Sequence, residues 1–258
     1  MTDTINFGTY RLGKDTYIAL GHALECGYRS IDTASLYKVE PIIGQYISDN
    51  GICRSELKIT SKLNPKIMEK TESEIIDSIQ KTLTDLKTDY LDLFLIHAPK
   101  EEHIIKCWNI MEKFHKRGIF KNIGVSNFDV HHMETIRNFS NTPIYTNQLE
   151  LSPFLKRPNV VKYMREKDIR ITAHSSLAKG EKFSDPILVK MASKYNRSAA
   201  QIMLAWGKQN DFCIIPRSSK KSHIAEDITL DFIISDSDMN ELNGITDIHI
   251  THPQYILS

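Results

Sequence analysis

Four side chains of complementary acidity stand at or near the ends of short apolar runs in this chain. "YRSID" (28–32) ends in the carboxylate Asp32, "LKITSK" (57–62) in the ammonium Lys62 and "LDLFLIH" (91–97) in the imidazole His97. The phenol Tyr37 follows five residues after Asp32, in "TASLYKVE". A carboxylate at the end of an apolar run is costly to bury without a partner. Imidazole, carboxylate, ammonium and phenol are the groups from which proton-transfer sites are built. Three of the four also have a plainer structural reading: Asp32 as a helix N-cap, Lys62 as a solvated tip, His97 as a strand end satisfied by backbone. Their joint placement at the ends of three successive runs is harder to obtain by chance.

The elements that would position them alternate along the chain. The β-branched apolar runs continue with "NIGVSN" (122–127), "YTNQLE" (145–150), "IRITAHS" (169–175), "FCIIPRS" (212–218) and "ITL" (228–230), each expected as a strand. Between them lie amphipathic helical patterns. In "SEIIDSIQKTLTDL" (73–86), Ile75, Ile76, Ile79, Leu83 and Leu86 fall at helical spacing. "EEHIIKCWNIMEKFHKRG" (101–118) opens with acids, closes with bases and stops at glycine, and "SDSDMNEL" (235–242) reads as a capped helix start. Strand–helix alternation without a Pro/Gly/Ser-rich linker predicts one α/β domain over 1–258, a parallel (β/α)8 TIM barrel. The rival, a doubly wound sheet, would carry a Gly-rich loop after its first strand, and "YRSIDTASLYK" has no glycine. In such a barrel the active site lies at the carboxyl ends of the strands, so Asp32, Lys62 and His97 would share one face with Tyr37.

Composition narrows the partners. The 258 residues are 41% hydrophobic and 25% charged with a net charge of +1, which gives no electrostatic case for nucleic acid or membrane binding. Cys26, Cys53, Cys107 and Cys213 show no metal spacing or C-x-x-C pair and are expected as reduced thiols, chiefly in the core. No basic and apolar leader and no membrane-length apolar run are present, so a soluble cytoplasmic protein is expected. The adjacent histidines of "VHHM" (130–133) should point to different helix faces, which argues against a shared metal; no metal site is expected. Trp108 and Trp206 sit within apolar helical patterns and are expected in the core. No G-x-S-x-G and no P-loop appears.

The order of these segments resembles the aldo-keto reductase family nearly end to end. The resemblance rests on "GYRSIDTASLYKVE" (27–40), "KITSKL" (58–63), "DYLDLFLIHAP" (89–99), "IGVSNF" (123–128), "NQLELSPF" (147–154), "ITAHSSL" (171–177) and "IIPRSSKKSHIAED" (214–227). It implies a (β/α)8 barrel that transfers hydride from a nicotinamide to a small-molecule carbonyl substrate, an aldehyde or ketone. Tyr37 would be the proton donor, tuned by Lys62. Asp32 would keep Lys62 charged and oriented, and His97 would hydrogen-bond the carbonyl oxygen.

The same resemblance assigns cofactor contacts. Ser126, Asn127 and Gln148 match positions that hold the nicotinamide carboxamide, and His174 stands where the family stacks a tyrosine. Ser175 and Leu177 match pyrophosphate-side contacts, and "FGTYRL" (7–12) puts Gly8, Thr9 and Tyr10 near the cofactor and substrate mouth. Arg217 and Ser218 match the positions that grip the 2′-phosphate, which implies NADP(H), with NAD(H) as second choice because a further family arginine is replaced by His223. Glu226 and Asp227 match the pair that reads adenine, with Asp replacing the usual Asn. The segment before the first run, "APKEEH" (98–103) and the tail "DIHITHPQYILS" (247–258) are short for the family, and Ala98 replaces a common aromatic. These departures imply an open, shallow pocket. A monomer is expected. The alternative function is a nicotinamide-binding barrel serving as a redox-sensing or structural subunit with little turnover; a metal-dependent barrel lyase or isomerase lacks its ligand set.

Overall fold

The computed structural model describes residues 4–252. Eight parallel strands lie in one curled sheet in chain order, each hydrogen-bonded to the next. They are β1 (Phe7–Gly8), β2 (Ser30–Asp32), β3 (Lys58–Leu63), β4 (Leu93–Ile96), β5 (Ile123–Ser126), β6 (Thr146–Glu150), β7 (Arg170–His174) and β8 (Cys213–Ile214). The first and last strands also meet. Asn6 N donates to Ile214 O at 2.9 Å, Ile214 N to Thr4 O at 2.8 Å and Gly8 N to Pro216 O at 2.9 Å.

Helices follow the strands on the outer face: α1 (Thr16–Glu25), α2 (Glu40–Asp49), α3 (Glu72–Asp85), α4 (Ile104–Lys116), α5 (Val130–Phe139), α6 (Pro158–Glu166), α7 (Pro186–Tyr195), α8 (Ala199–Gln209), α9 (Lys221–Ile228) and α10 (Asp236–Asn243). Among the described residues no helix is long and apolar enough to cross a membrane. Local chemistry sets their starts. Thr71 and Glu74 form a capping box at α3, as do Ser198 and Gln201 at α8, so backbone donors that no turn can satisfy are met by side chains. Ile75 and Ile79 of α3 are buried at four-residue spacing, while the opposite face is polar. Gly44 lets α2 approach the end of α3: a Cβ there would sit 2.3 Å from Asp85 O. Phe94 of β4 stacks on Phe120 at 4.5 Å between ring centroids, and Trp108 and Trp206 are buried as expected.

Two expectations about strands change. "ITL" (228–230) is no strand; Ile228 is the last residue of α9 and Thr229 its C-cap. Ile224 and Ile228 fall four apart on that helix, so the β-branched residues there belong to a helical stripe. The missing member is β1, whose two residues are too few to give a periodic signal. Asp32 therefore ends the second strand, Lys62 is the last residue but one of the third and His97 follows the fourth. Among the cysteines, Cys107 and Cys213 are buried and Cys26 is half-buried, whereas Cys53 is exposed.

Candidate active site

The carboxyl ends of the strands surround a cavity of about 500 Å³. Its floor is an ion pair. Lys62 points inward from β3, its side chain fully inaccessible to solvent, and its Nζ donates to Asp32 Oδ1 at 2.5 Å and to Thr33 O at 2.8 Å. Gln148 of β6 donates from Nε2 to the other carboxylate oxygen, Oδ2, at 2.8 Å. A buried charge is tolerated when it is paired and its remaining sites are hydrogen-bonded, and both conditions hold here. Burial pulls the Lys62 ammonium below its ordinary proton affinity, and Asp32 opposes that pull.

Tyr37 is held over this pair by a short turn. Residues Ser35–Tyr37 form one 3-10 turn, and Ser35 Oγ donates to Lys62 O at 3.0 Å, tying the turn to β3. Lys38 then takes φ +60°, a left-handed conformation that ends the turn and leaves its own side chain exposed. The Tyr37 ring centroid lies 5.3 Å from Lys62 Nζ. It meets the His97 ring edge-on at 5.6 Å and the Tyr10 ring at 5.0 Å. His97 is 6% exposed, and its Nδ1 has no hydrogen-bond partner among the described residues. Burial, with the Lys62 charge as the next cause, lowers its pKa to about 3, so the ring is neutral across ordinary pH.

The side wall is a hydrogen-bonded chain. Asn127 Nδ2 donates to His97 O at 3.0 Å and to Ser126 Oγ at 3.1 Å, while its Oδ1 lies 3.0 Å from His174 Nε2. Ser126 Oγ donates to Gln148 O at 3.0 Å, and His174 Nδ1 lies 3.1 Å from Ser175 Oγ. Burial holds His174 well below the usual imidazole range. Asn127 (φ +60°) and Ser175 (φ +54°) adopt left-handed backbone, a conformation that concentrates at ligand-binding sites. On the opposite wall, Thr9 N and Oγ1 both donate to Asp32 O at 3.0 Å, and Gly8 packs against the chain after β8. A Cβ at Gly8 would stand 3.0 Å from Ile215 Cγ2 and 3.2 Å from Pro216 O.

The cavity lining thus brings together Gly8, Thr9, Tyr10, Asp32, Tyr37, His97, Ser126, Asn127, Gln148, His174, Ser175, Leu177, Arg217, Ser218 and His223. Lys62 lies beneath it. Glu226 and Asp227 are outside the lining, and Asp227 lies on the buried side of α9 with its pKa raised to about 7, chiefly by burial and then by Glu226. Arg217 and His223 are exposed, and no carboxylate pairs with Arg217 among the described residues.

Several lining residues were not singled out by the sequence, among them Arg11, Leu36, Lys179, Phe183 and His252. The basic residues of "GTYRL" and "SSLAKGEKF" were a signal in reach; His252 gave none, being far along the chain. Through His252 the tail supplies part of the cavity wall. Residues 253–258 of that tail lie outside the described residues. The adjacent histidines also behave differently from expectation. His131 and His132 both turn toward Glu101, with Nε2 atoms at 3.4 and 3.5 Å from Oε1. His132 Nδ1 accepts the Asp129 N–H at 3.1 Å, so its Nε2 carries the proton and faces the carboxylate as a donor.

A sequence profile of the Aldo/keto reductase family matches residues 4–247. Methylglyoxal reductase DkgB of Salmonella typhimurium is 37% identical over 226 residues, covering 86% of this chain and 84% of that protein. Glyoxal reductase of Bacillus subtilis is 35% identical over 234 residues, covering 90% and 84%. Among solved structures, the aldo-keto reductase MGS-M4 from a Medee basin deep-sea metagenome superimposes with a TM-score of 0.89 at 30% identity, covering 94% and 90%. The aldose reductase of Schistosoma japonicum gives 0.89 at 26% identity, covering 96% and 90%.

Proposed function

The chain belongs to the aldo/keto reductase family, and from that premise we propose that it reduces small aldehydes and ketones with NADP(H), with Tyr37 as the proton donor. The main support is the fully buried Lys62 paired with Asp32 at 2.5 Å, with the Tyr37 ring 5.3 Å from its charge. We read the hydrogen bonds between residues 4–8 and 214–216 as closing the sheet into a (β/α)8 barrel, which would fix these groups relative to one another.

The residues present fit a nicotinamide cofactor. The close packing of Gly8 and the left-handed Asn127 and Ser175 shape a groove. It runs from Tyr37 to Arg217, whose guanidinium suits a phosphate better than any neighbour does. Ser126, Asn127, Gln148 and His174 would hold the ring, and Ser175 and Leu177 the pyrophosphate. Arg217, Ser218 and His223 would hold the 2′-phosphate. When bound, the nicotinamide supplies the hydride.

The chain's own groups handle the oxygen. A free phenol has a pKa of about 10, and an adjacent ammonium favours its ionised form. Lys62 therefore eases proton loss from Tyr37, and Asp32 keeps Lys62 charged. His97, neutral because of burial, donates a hydrogen bond to the carbonyl oxygen and orients it. The carbonyl carbon gains the hydride, its oxygen gains the Tyr37 proton, and the tyrosinate recovers a proton from water. The glyoxal and methylglyoxal reductases among the relatives favour small dicarbonyls as substrates.

The test is oxidation of NADPH and, separately, NADH with methylglyoxal, glyoxal and nitrobenzaldehyde. Turnover with NADPH preferred is the expected result. Tight NADPH binding with no turnover of any carbonyl would move the assignment to a cofactor-binding subunit.

A further inference from the structure

Glu150 is a buried carboxylate that the proposed reaction does not use. It ends β6, two residues after Gln148 and on the same face of the strand. It is 3% exposed and does not line the cavity. Its two oxygens accept consecutive backbone amides from the far end of the chain: Thr251 N to Oε1 at 2.7 Å and His252 N to Oε2 at 3.2 Å. Successive N–H groups form a concave donor site suited to an anion, and charge-assisted bonds of this kind exceed neutral ones in strength.

The segment from Ile245 to His252 is tied down elsewhere as well. Lys156 Nζ donates to Ile245 O at 2.5 Å, Phe154 O accepts from His249 N at 3.1 Å, and Lys179 Nζ donates to Thr251 O at 2.6 Å. Lys182 pairs with Asp247. The His252 ring stands 5.9 Å from both the Tyr10 and His174 rings and lines the cavity.

We propose that Glu150 is a positioning residue that fixes the register of this strap, and so sets His252 as the wall that limits substrate size. One strand then carries both functions: Gln148 fixes the floor through Asp32, and Glu150 fixes the wall through the backbone of 251–252. The proposal rests on the assignment of this cavity as the carbonyl site. A carboxylate is required because two donors must be met; a glutamine offers one acceptor and turns a donor toward the second amide.

The experiment compares wild type, Glu150→Gln, Glu150→Ala, His252→Ala and the double variant Glu150→Ala/His252→Ala. The readouts are the KM ratio of methylglyoxal to nitrobenzaldehyde, the NADPH Kd, and hydrogen exchange at amides 251 and 252. His252→Ala should shift the KM ratio about tenfold in favour of the larger aldehyde. Glu150→Ala should reproduce that shift, Glu150→Gln should give part of it, and the double variant should add nothing further. NADPH Kd should stay within about twofold of wild type, and both amides should exchange at least about tenfold faster in the Glu150 variants. Additive shifts, an unchanged ratio or unchanged exchange would overturn the proposal. If Glu150→Ala failed to fold, Glu150→Gln and His252→Ala would still decide it. If wild type reduced no carbonyl, the assigned function would fall and the specificity role with it, while faster exchange would still establish the latch.

Discussion

The two ends of the cavity are built in opposite ways. At the floor, Lys62, Asp32 and Gln148 are buried and interlocked, Lys62 Nζ and Gln148 Nε2 each donating to a different oxygen of the Asp32 carboxylate. At the far end, Arg217 and His223 stand exposed, and Arg217 has no carboxylate partner among the described residues. Desolvated charges interact strongly and hold their geometry before any ligand arrives, whereas hydrated ones are screened by salt and act when an anion replaces their water. Under the proposed function, the floor would serve the chemistry and the rim the capture of the cofactor.

Substitutions at the floor should have the largest effects. Lys62→Met removes the cation and leaves Asp32 buried without its charge partner, which should cost about 3–5 kcal/mol of stability. Turnover should fall at least about a thousandfold, in the upper range that proton-transfer catalysis supplies. Urea unfolding and single-turnover rates measure the two; a stable, active variant would break the contrast. The acid stability of the fold gives a second test. His97 is held neutral down to about pH 3, while an unfolded histidine takes a proton below about pH 6.5. Between those values the unfolded state binds more protons, so stability should fall as pH drops, by up to about 1.4 kcal/mol per pH unit for this group. His97→Asn should flatten that slope; an unchanged slope would mean that His97 titrates normally. At the rim the effects should be smaller. Arg217→Ala should weaken NADPH binding about tenfold and leave NADH unchanged. The difference should shrink as salt is raised, which equilibrium binding at two ionic strengths would show.

The contrast also explains what the sequence disclosed. Strand ends were legible because β-branched runs stop at polar residues, so Asp32, Lys62 and His97 could be placed on one face in advance. β1 was not legible, since two residues carry no period, and "ITL" misled because β-branched residues also close α9. Contacts that couple distant segments were invisible. Gln148 and Asp32 are 116 residues apart, and Glu150 meets Thr251 across 101. The histidines at 131–132 were misjudged because helical geometry alone separates their faces, whereas the capping bond from Asp129 N bends His132 back toward Glu101.

We propose that Tyr37, over the Lys62–Asp32 pair, delivers the proton and does little to hold the cofactor. Tyr37→Phe tests it most directly, by NADPH fluorescence titration together with single-turnover reduction of methylglyoxal. The NADPH Kd should stay within about twofold of wild type and the single-turnover rate should fall at least about a thousandfold. A rate within about tenfold of wild type would contradict it, because the proton would then come from another group.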